Sequence, residues 1–292
     1  MKLLLNYRTE YRYGAPVSLS PHVFRLLPKA DTHVGMQTLL FETNAGADIQ
    51  YRRDLFDNIV ACGFYPDLHC HLSVELQIEL RLQEKNPFHF LLAPHAIDLP
   101  FTYESHEREV LDPFLKLPFP SVELPFWKFR PGPTLEVLIG LNRALFQSLK
   151  YERREEGAAR TSAETLAAGG GACRDFAVLL AEQLRRIGVA ARLASGYLWE
   201  SDDAGPRRAE GALHAWTEAY LPGAGWVGMD AANGAFCNHR HITTAVGLSP
   251  EDIAPISGRY YAEGTVESAM SARLELRECD AEAVVKTRPF GC

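Results

Sequence analysis

The stretch that decides the fold is residues 169–180, Gly169-Gly170-Gly171-Ala172-Cys173-Arg174-Asp175-Phe176-Ala177-Val178-Leu179-Leu180. Here a glycine run meets the start of an apolar-periodic segment, and Cys173 stands at the junction. Backbone N–H groups at a helix start lack partners and carry partial positive charge, so they favour a thiolate over a thiol. The pattern predicts a helix that begins at Cys173 and a thiol suited to nucleophilic attack.

Helical periodicity extends from this stretch in both directions. The Cys173 helix carries one apolar stripe and is expected to end at Gly188, a suitable C-cap. Upstream, Thr161 and Glu164 form a capping-box pattern that predicts a short helix ending near Gly169. An earlier helix is predicted after Pro133 from apolar residues at helical spacing, namely Leu135, Leu138, Ile139, Leu141, Leu145, Phe146 and Leu149.

Beyond the helix, the segments 190–199, 213–221 and 226–230 are predicted to be strands. The last two flank the turn residues 222–225 and form a hairpin. Period two puts His214 and Trp216 on one face of their strand. Asp230 reaches that face only if even positions pair with even positions, for example Trp216 opposite Asp230, because a slip of one residue would turn Asp230 away.

The first part of the chain is predicted to be a β domain over residues 1–85. Residues 68–82 alternate apolar and polar side chains, which is typical of a long half-buried strand, and 3–13, 37–43 and 48–64 also show strand character. Residues 86–130 are rich in proline and aromatic residues, and we interpret them as a connector that docks on a domain or lines a cleft. A second, catalytic domain is predicted over 131–292.

The motifs of the second part resemble the core of bacterial transglutaminase-like proteins, which are relatives of the papain-like cysteine proteases. The resemblance is carried by Gly170-Gly171-Ala172-Cys173-Arg174-Asp175, Ala191–Tyr197, His214–Trp226 and Asp230–Gly234. The N-terminal β-rich part also looks like the domain associated with this family. The resemblance implies an α+β fold, in which an N-terminal antiparallel β domain precedes a papain-like/transglutaminase-like core with its nucleophile helix packed on an antiparallel sheet.

The resemblance also implies roles for the matched residues. Cys173 would be the nucleophile, His214 the general base and acid, and Asp230 the group that orients the imidazole. The backbone N–H of Cys173 would be one oxyanion donor. Asp175, in the first helical turn, is expected to be structural and to accept hydrogen bonds. Trp216 is expected to shield the imidazole.

The expected function is attack on the amide bonds of a peptide or protein substrate through a thioester, with hydrolysis by a protease or amidase favoured. One alternative is a transglutaminase, in which an amine resolves the thioester. Another is a non-catalytic interaction module that keeps the fold, and a third is a β domain that docks the protein on which the core acts. All three alternatives stay open at the level of sequence.

The sequence departs from the family pattern after residues 241–247. Leu248-Ser249-Pro250 stands where Arg-Asp-Tyr is often found, and Asp230-Ala231-Ala232-Asn233 replaces the commoner Asp-Pro-Thr-Asn. The loop after Gly247 is expected to border the cleft, so substrate preference does not carry over from the family.

Composition excludes several classes of function. The 292 residues have a net charge of −7 and a pI near 5.8, and the absence of a dense basic run argues against nucleic-acid binding. The sequence predicts neither a signal peptide nor a membrane span, and we expect a cytoplasmic protein. The six cysteines are sparse, which favours reduced thiols. No cofactor is predicted, and no metal, because no second ligand cluster accompanies Cys237, His239 and His241.

Overall fold

A computed structural model of the chain describes residues 1–29, 31–44, 46–118, 121–154, 157–199 and 213–279. Its helices are α1 Ser105–Leu115, α2 Thr134–Ser148, α3 Ser162–Ala168 and α4 Cys173–Arg186, with a 3-10 turn at Pro94–Ala96. Its strands are β1 Lys2–Leu19, β2 His22–Phe24, β3 Val34–Thr43, β4 Asp48–Arg53, β5 Ile59–Phe64, β6 Leu68–Leu82, β7 Asp98–Leu99, β8 Gly132–Pro133, β9 Lys150–Tyr151, β10 Gly170–Gly171, β11 Ala191–Leu198, β12 Leu213–Leu221, β13 Gly225–Asp230, β14 Ala235–Phe236, β15 His241–Gly247, β16 Ile256–Ser257, β17 Tyr260–Tyr261 and β18 Ser268–Cys279. None of the described helices is long and apolar enough to cross a membrane.

Two antiparallel sheets form the N-terminal part. One has the strand order β17-β1-β6-β3, with β18 also paired to β1, and the other has the order β16-β2-β5-β4. The strand predicted from alternation over residues 68–82 is β6, with the same bounds. From Leu72 onward, its apolar residues at alternate positions are buried. They contribute to a core with the apolar residues of β1, so the period-two pattern of the sequence is the pattern of burial.

The C-terminal part is built on one antiparallel sheet with a helix on one face. The strand order is β14-β13-β12-β11-β15. Helix α4 packs on the odd-numbered face of β12, where the Thr217 hydroxyl donates to the carbonyl of Ala177 over 2.8 Å. The predicted packing of the Cys173 helix on an antiparallel sheet is thus observed. The even-numbered face of β12 points away from α4.

The C-terminal strand returns to the first sheet. β18 pairs with β1 along twelve residues, from Lys2 opposite Cys279 to Tyr13 opposite Ser268, and β16 pairs with β2. Residues 256–279 therefore lie in the N-terminal sheets, although the sequence analysis assigned them to the domain 131–292. Pairing between strands more than 230 residues apart leaves no local signal in a sequence, because each strand needs only its own alternation.

The connector 86–130 packs against the core of this C-terminal part, as expected from its aromatic content. Its aromatic residues Phe90, Phe101, Phe126, Trp127 and Phe129 contact the cluster under the sheet. The prolines of this segment predicted that it would contain no helix, but it contains α1. Pro113 is tolerated there because it lies near the C-terminal end of α1, and the eight helical residues that precede it include no proline.

Candidate active site

Cys173 is the first residue of α4 and follows a backbone path that glycine permits. Gly169 ends α3 with a φ of 67°, in the left-handed region. Gly170–Gly171 form β10, which pairs in parallel with β9. A Cβ on Gly170 would collide with the carbonyl oxygen of Lys150, so the two strands lie too close for a side chain at this position. The glycine run thus sets Cys173 at a fixed point beside β9.

The buried carboxylate of Asp175 ties the start of α4 to the preceding segment. It accepts hydrogen bonds from the backbone N–H of Ala172 (2.8 Å) and of Arg160 (2.7 Å). Both of its oxygens also accept from the guanidinium of Arg154, at 2.8 and 2.9 Å. Removal of this carboxylate would leave several donors without an acceptor. The predicted structural role of Asp175 is confirmed.

The β12–β13 hairpin brings His214 and Asp230 together. Its register pairs Glu218 with Gly228, so even positions oppose even positions, as the sequence argument required. His214 is the second residue of β12, and Asp230 is the last residue of β13. Both side chains therefore project from the same end of the same face.

The imidazole of His214 lies between Asp230 and Cys173. Its Nε2 donates to Oδ2 of Asp230 over 2.8 Å, and both side chains are almost completely buried. Its Nδ1 is buried without a partner that meets strict hydrogen-bond geometry among the described residues. Because Nε2 is occupied by Asp230, Nδ1 is the nitrogen left to interact with the thiol of Cys173. The pKa of this thiol is lowered by His214.

Three further groups hold the Asp230 carboxylate. The side-chain amide of Asn233 donates to Oδ2 over 2.8 Å, and its backbone N–H donates to Oδ1 over 3.2 Å. Nε2 of His241 donates to Oδ2 over 3.3 Å, while its Nδ1 accepts from the backbone N–H of Asn238. Neither Asn233 nor His241 was predicted to contact Asp230. Both occur in segments that resemble the family motifs, but only the folded geometry shows the contact.

Trp216 covers the histidines from the even-numbered face of β12. Its ring is stacked near His214, with the ring centroids 6.2 Å apart and the planes at 28°, and it meets His241 edge-on at 5.4 Å. The side chain is only 2% exposed. Trp216 therefore keeps water away from this side of the imidazole, as expected from its position next to His214 on the strand face.

The three candidate residues shift each other's pKa values. Burial acts to raise the pKa of Cys173, but the charge and hydrogen bonding of His214 outweigh it and the net shift is downward. Burial acts to lower the pKa of His214, yet Asp230 and the thiolate raise it well above its ordinary value. For Asp230, burial is again outweighed, chiefly by His214, and the pKa of the carboxyl lies far below its usual range. The site therefore favours thiolate, imidazolium and carboxylate together.

Tyr151 is a site residue that the sequence analysis did not single out. It belongs to β9 and lines the same cavity as Cys173. Burial, followed by the charge of Cys173, raises the pKa of its phenol to about 12, so its hydroxyl keeps its proton and can donate. A lone tyrosine 22 residues before a cysteine carries no recognisable signal, and only the β9–β10 pairing brings the two together.

A cavity of about 640 Å³ opens over Cys173 and His214. One wall comes from the core around α4 and β12, and another comes from β1 and β18 of the N-terminal part. Residues of the loop after Gly247, from Pro250 to Ile256, complete it, which confirms that this loop borders the cleft. Among the described residues, no group of three or more His, Cys, Asp or Glu side chains could hold a metal ion.

This fold and site define a papain-like, transglutaminase-like architecture. Residues 131–231 match the model of the transglutaminase-like superfamily, and residues 3–81 match that of the bacterial transglutaminase-like N-terminal region. The chain therefore carries a transglutaminase-like core domain and a bacterial transglutaminase-like N-terminal region. The predicted family and the predicted α+β fold class are both confirmed.

Solved and curated relatives span most of the chain. A crystal structure described as "a Putative Cysteine Protease" from Cytophaga hutchinsonii superposes with a TM-score of 0.67 at 16% identity, covering 96% of this chain and 92% of that one. At this identity the likeness shows the fold alone. An uncharacterised protein of Mycobacterium tuberculosis H37Rv is 27% identical over 279 residues, covering 88% of this chain and 87% of its own. An uncharacterised protein of Mycobacterium leprae is 24% identical over 271 residues, covering 89% and 94%.

The lowered pKa of Cys173 predicts a specific pH profile for alkylation. Because the thiolate is the reactive form, the rate of iodoacetamide addition to Cys173 should rise at a pH below the ordinary titration range of a thiol. In His214→Ala the attraction is lost while burial remains, so the rise should move to higher pH. The measurement is the alkylation rate of Cys173 against pH, followed by peptide mass spectrometry.

The matched control for this profile is His106→Ala, which removes an exposed imidazole in α1 and should leave the profile unchanged. An identical inflection in the native protein and in His214→Ala would show that His214 does not stabilise the thiolate.

Proposed function

We propose that the protein is a cysteine-dependent hydrolase of amide bonds in peptides or proteins. The observation that carries the proposal is the series Cys173, His214 and Asp230. His214 and Asp230 are buried and joined by a 2.8 Å hydrogen bond, and the partly exposed thiol lies at a helix start inside a cleft. A nucleophile, an imidazole base and a group that orients the base are the components that acyl transfer requires.

In the proposed mechanism, the Cys173 thiolate attacks the carbonyl carbon and forms a tetrahedral oxyanion. His214, as imidazolium, gives its Nδ1 proton to the leaving amine when the C–N bond breaks, and a thioester remains. The neutral imidazole then takes a proton from a water molecule that attacks the thioester. Collapse of the resulting tetrahedral intermediate breaks the C–S bond and releases the carboxylic acid, which leaves the Cys173 thiolate beside the imidazolium of His214 as at the start. Asp230 stays ionised and holds Nε2 throughout.

Two donors are assigned to the oxyanion. The backbone N–H of Cys173 lies in the first turn of α4, where such groups have no intrahelical acceptor. The hydroxyl of Tyr151 is the second, because it lies beside Cys173 in the cleft and donates no hydrogen bond to any residue that the structure describes. Donors aimed at the developing negative charge are the largest contributors to this kind of catalysis.

Water is the favoured acceptor of the acyl group. Cys173 is partly exposed in an open cleft, and transfer to an amine requires that bulk water be kept from the thioester. A transglutaminase remains the second candidate for the same site, because its first chemical step is identical. The non-catalytic alternative is disfavoured because all three residues are present and His214 is hydrogen-bonded to Asp230.

The test is labelling of the native protein by a peptide aldehyde or a peptide chloroacetamide, together with turnover of peptide amides. We expect labelling at Cys173, and a loss of turnover in His214→Ala of about 10²–10⁴-fold because the general base is gone. Cys70→Ala removes an exposed thiol outside the cleft and should behave as the native protein.

Equal slow labelling of the native protein and His214→Ala would reject the enzyme proposal. If added amines appear in the product in place of the free acid, the transglutaminase alternative is favoured over hydrolysis.

The role of Tyr151 predicts that Tyr151→Phe lowers kcat by about 10²–10³-fold with little change in KM, because the donor acts on the transition state. The measurement is steady-state kinetics on a peptide amide. The alkylation rate of Cys173 should stay close to that of the native protein, since alkylation forms no oxyanion. A purely structural role for Tyr151 would instead depress alkylation and turnover together.

A further inference from the structure

The cavity over Cys173 has a second wall built from the two ends of the chain. Three residues of β1 alternate with period two, and three of β18 lie directly opposite them, so all six face the same way. The pairs are Tyr7 with Leu274, Thr9 with Ala272, and Tyr11 with Met270. All six line the cavity that holds the thiol. We call this surface the β1–β18 wall.

The β1–β18 wall offers apolar area and little polarity. None of its six side chains carries a charge. The hydroxyl of Thr9 is committed to the carbonyl of Ser271 over 3.0 Å. Tyr7 and Thr9 are buried, while Tyr11, Met270 and Leu274 are half-buried and present their side chains to the cavity. A surface of this kind gains free energy by removing apolar groups from water.

The loop after Gly247 extends the apolar lining. The cavity is lined here by the loop residues Pro250, Glu251, Ile253, Ala254 and Pro255 and by Ile256, the first residue of β16, and only Glu251 among them is charged. The loop is fixed in place, since the Ser195 hydroxyl donates to the carbonyl of Ile253 over 2.6 Å. The apolar lining is therefore preformed and does not depend on closure around a ligand.

The cationic residues of the cavity have partners within the protein. Arg154 is paired with Asp175, and Arg174 donates to the carbonyl of Arg154 over 2.7 Å. Arg273 pairs with Glu275 at the rim, where its side chain is 80% exposed. Arg153 is exposed and also has a partner, and Glu251 is exposed. The charged lining groups are therefore engaged or solvated, and the apolar surfaces are what remains to select a ligand.

We propose that the β1–β18 wall is a substrate subsite that takes a peptide segment with a large apolar side chain, such as leucine, methionine or phenylalanine, beside the scissile amide. This inference rests on the proposed function, in which Cys173 attacks an amide bond in this cavity. A volume of about 640 Å³ suits such a segment, since ligand sites occupy about 300–1,000 Å³. The C-terminal strand thus contributes to specificity while the core carries out the chemistry.

The test compares binding of two fluorescent peptide amides that differ only in leucine or aspartate beside the scissile amide. Binding to the full-length Cys173→Ala variant is measured by fluorescence anisotropy, so no turnover is needed. The leucine peptide should bind about tenfold more tightly or better, because one apolar group in a pocket discriminates by roughly 10–200-fold. Met270→Ala and Leu274→Ala, added to this variant, should each reduce the ratio several-fold.

Arg277→Ala is the matched control, because Arg277 lies on the opposite face of β18 and does not line the cavity. Each substitution is also made with Cys173 intact, where an unchanged alkylation rate reports a preserved site. If an alanine variant loses that rate, Met270→Gln keeps the side-chain length, and it should lose the preference alone.

Equal binding of the two peptides, or a ratio that the wall variants leave unchanged, overturns the assignment. If the peptides bind as expected but the native protein releases no product, the β1–β18 wall stands as a peptide site and amide hydrolysis is rejected. The two proposals can therefore fail separately.

Discussion

The hydrogen bond from Nε2 of His214 to Oδ2 of Asp230 is the interaction on which the rest of the site depends. It exists because β12 and β13 pair in the even-to-even register, and a slip of one residue would place Asp230 on the other face. The carboxylate stays ionised in the interior because Asn233 and His241 also donate to it, so three side chains share the cost of its burial. Its negative charge in turn keeps His214 protonated, and His214 lowers the pKa of Cys173.

The second constraint is the return of the chain to its own beginning. β18 adds to β1 along most of its length, and the surface that these strands share faces the thiol across the cleft. Chemistry and recognition are thereby separated in the proposed account. The core sets the reactivity of Cys173, while strands from both ends of the chain shape what lies over it. A change in the wall can then alter preference without disturbing the hairpin register.

Local sequence patterns predicted many of the helices and strands, but they did not predict which distant strands pair with each other. Alternation predicted β6 with its bounds, and the glycine run with its apolar stripe predicted α4 from its first residue. Of the two possible registers of the β12–β13 hairpin, only the even-to-even one puts Asp230 on the His214 face, and this register is observed. The place of β18 was missed because pairing partners far apart in sequence carry no shared pattern. Tyr151 was missed because its approach to Cys173 arises from the β9–β10 pairing alone.

The most direct test of the central claim is capture of the acyl-enzyme. Native protein is mixed with an activated peptide ester or amide, quenched in acid within the first turnover, and mapped by mass spectrometry. We expect a transient acyl group on Cys173 that hydroxylamine removes, because hydroxylamine cleaves thioesters. We expect no such adduct in Cys173→Ala. Turnover without an adduct, or an adduct on another residue while Cys173→Ala remains active, would contradict the assignment of Cys173 as the nucleophile.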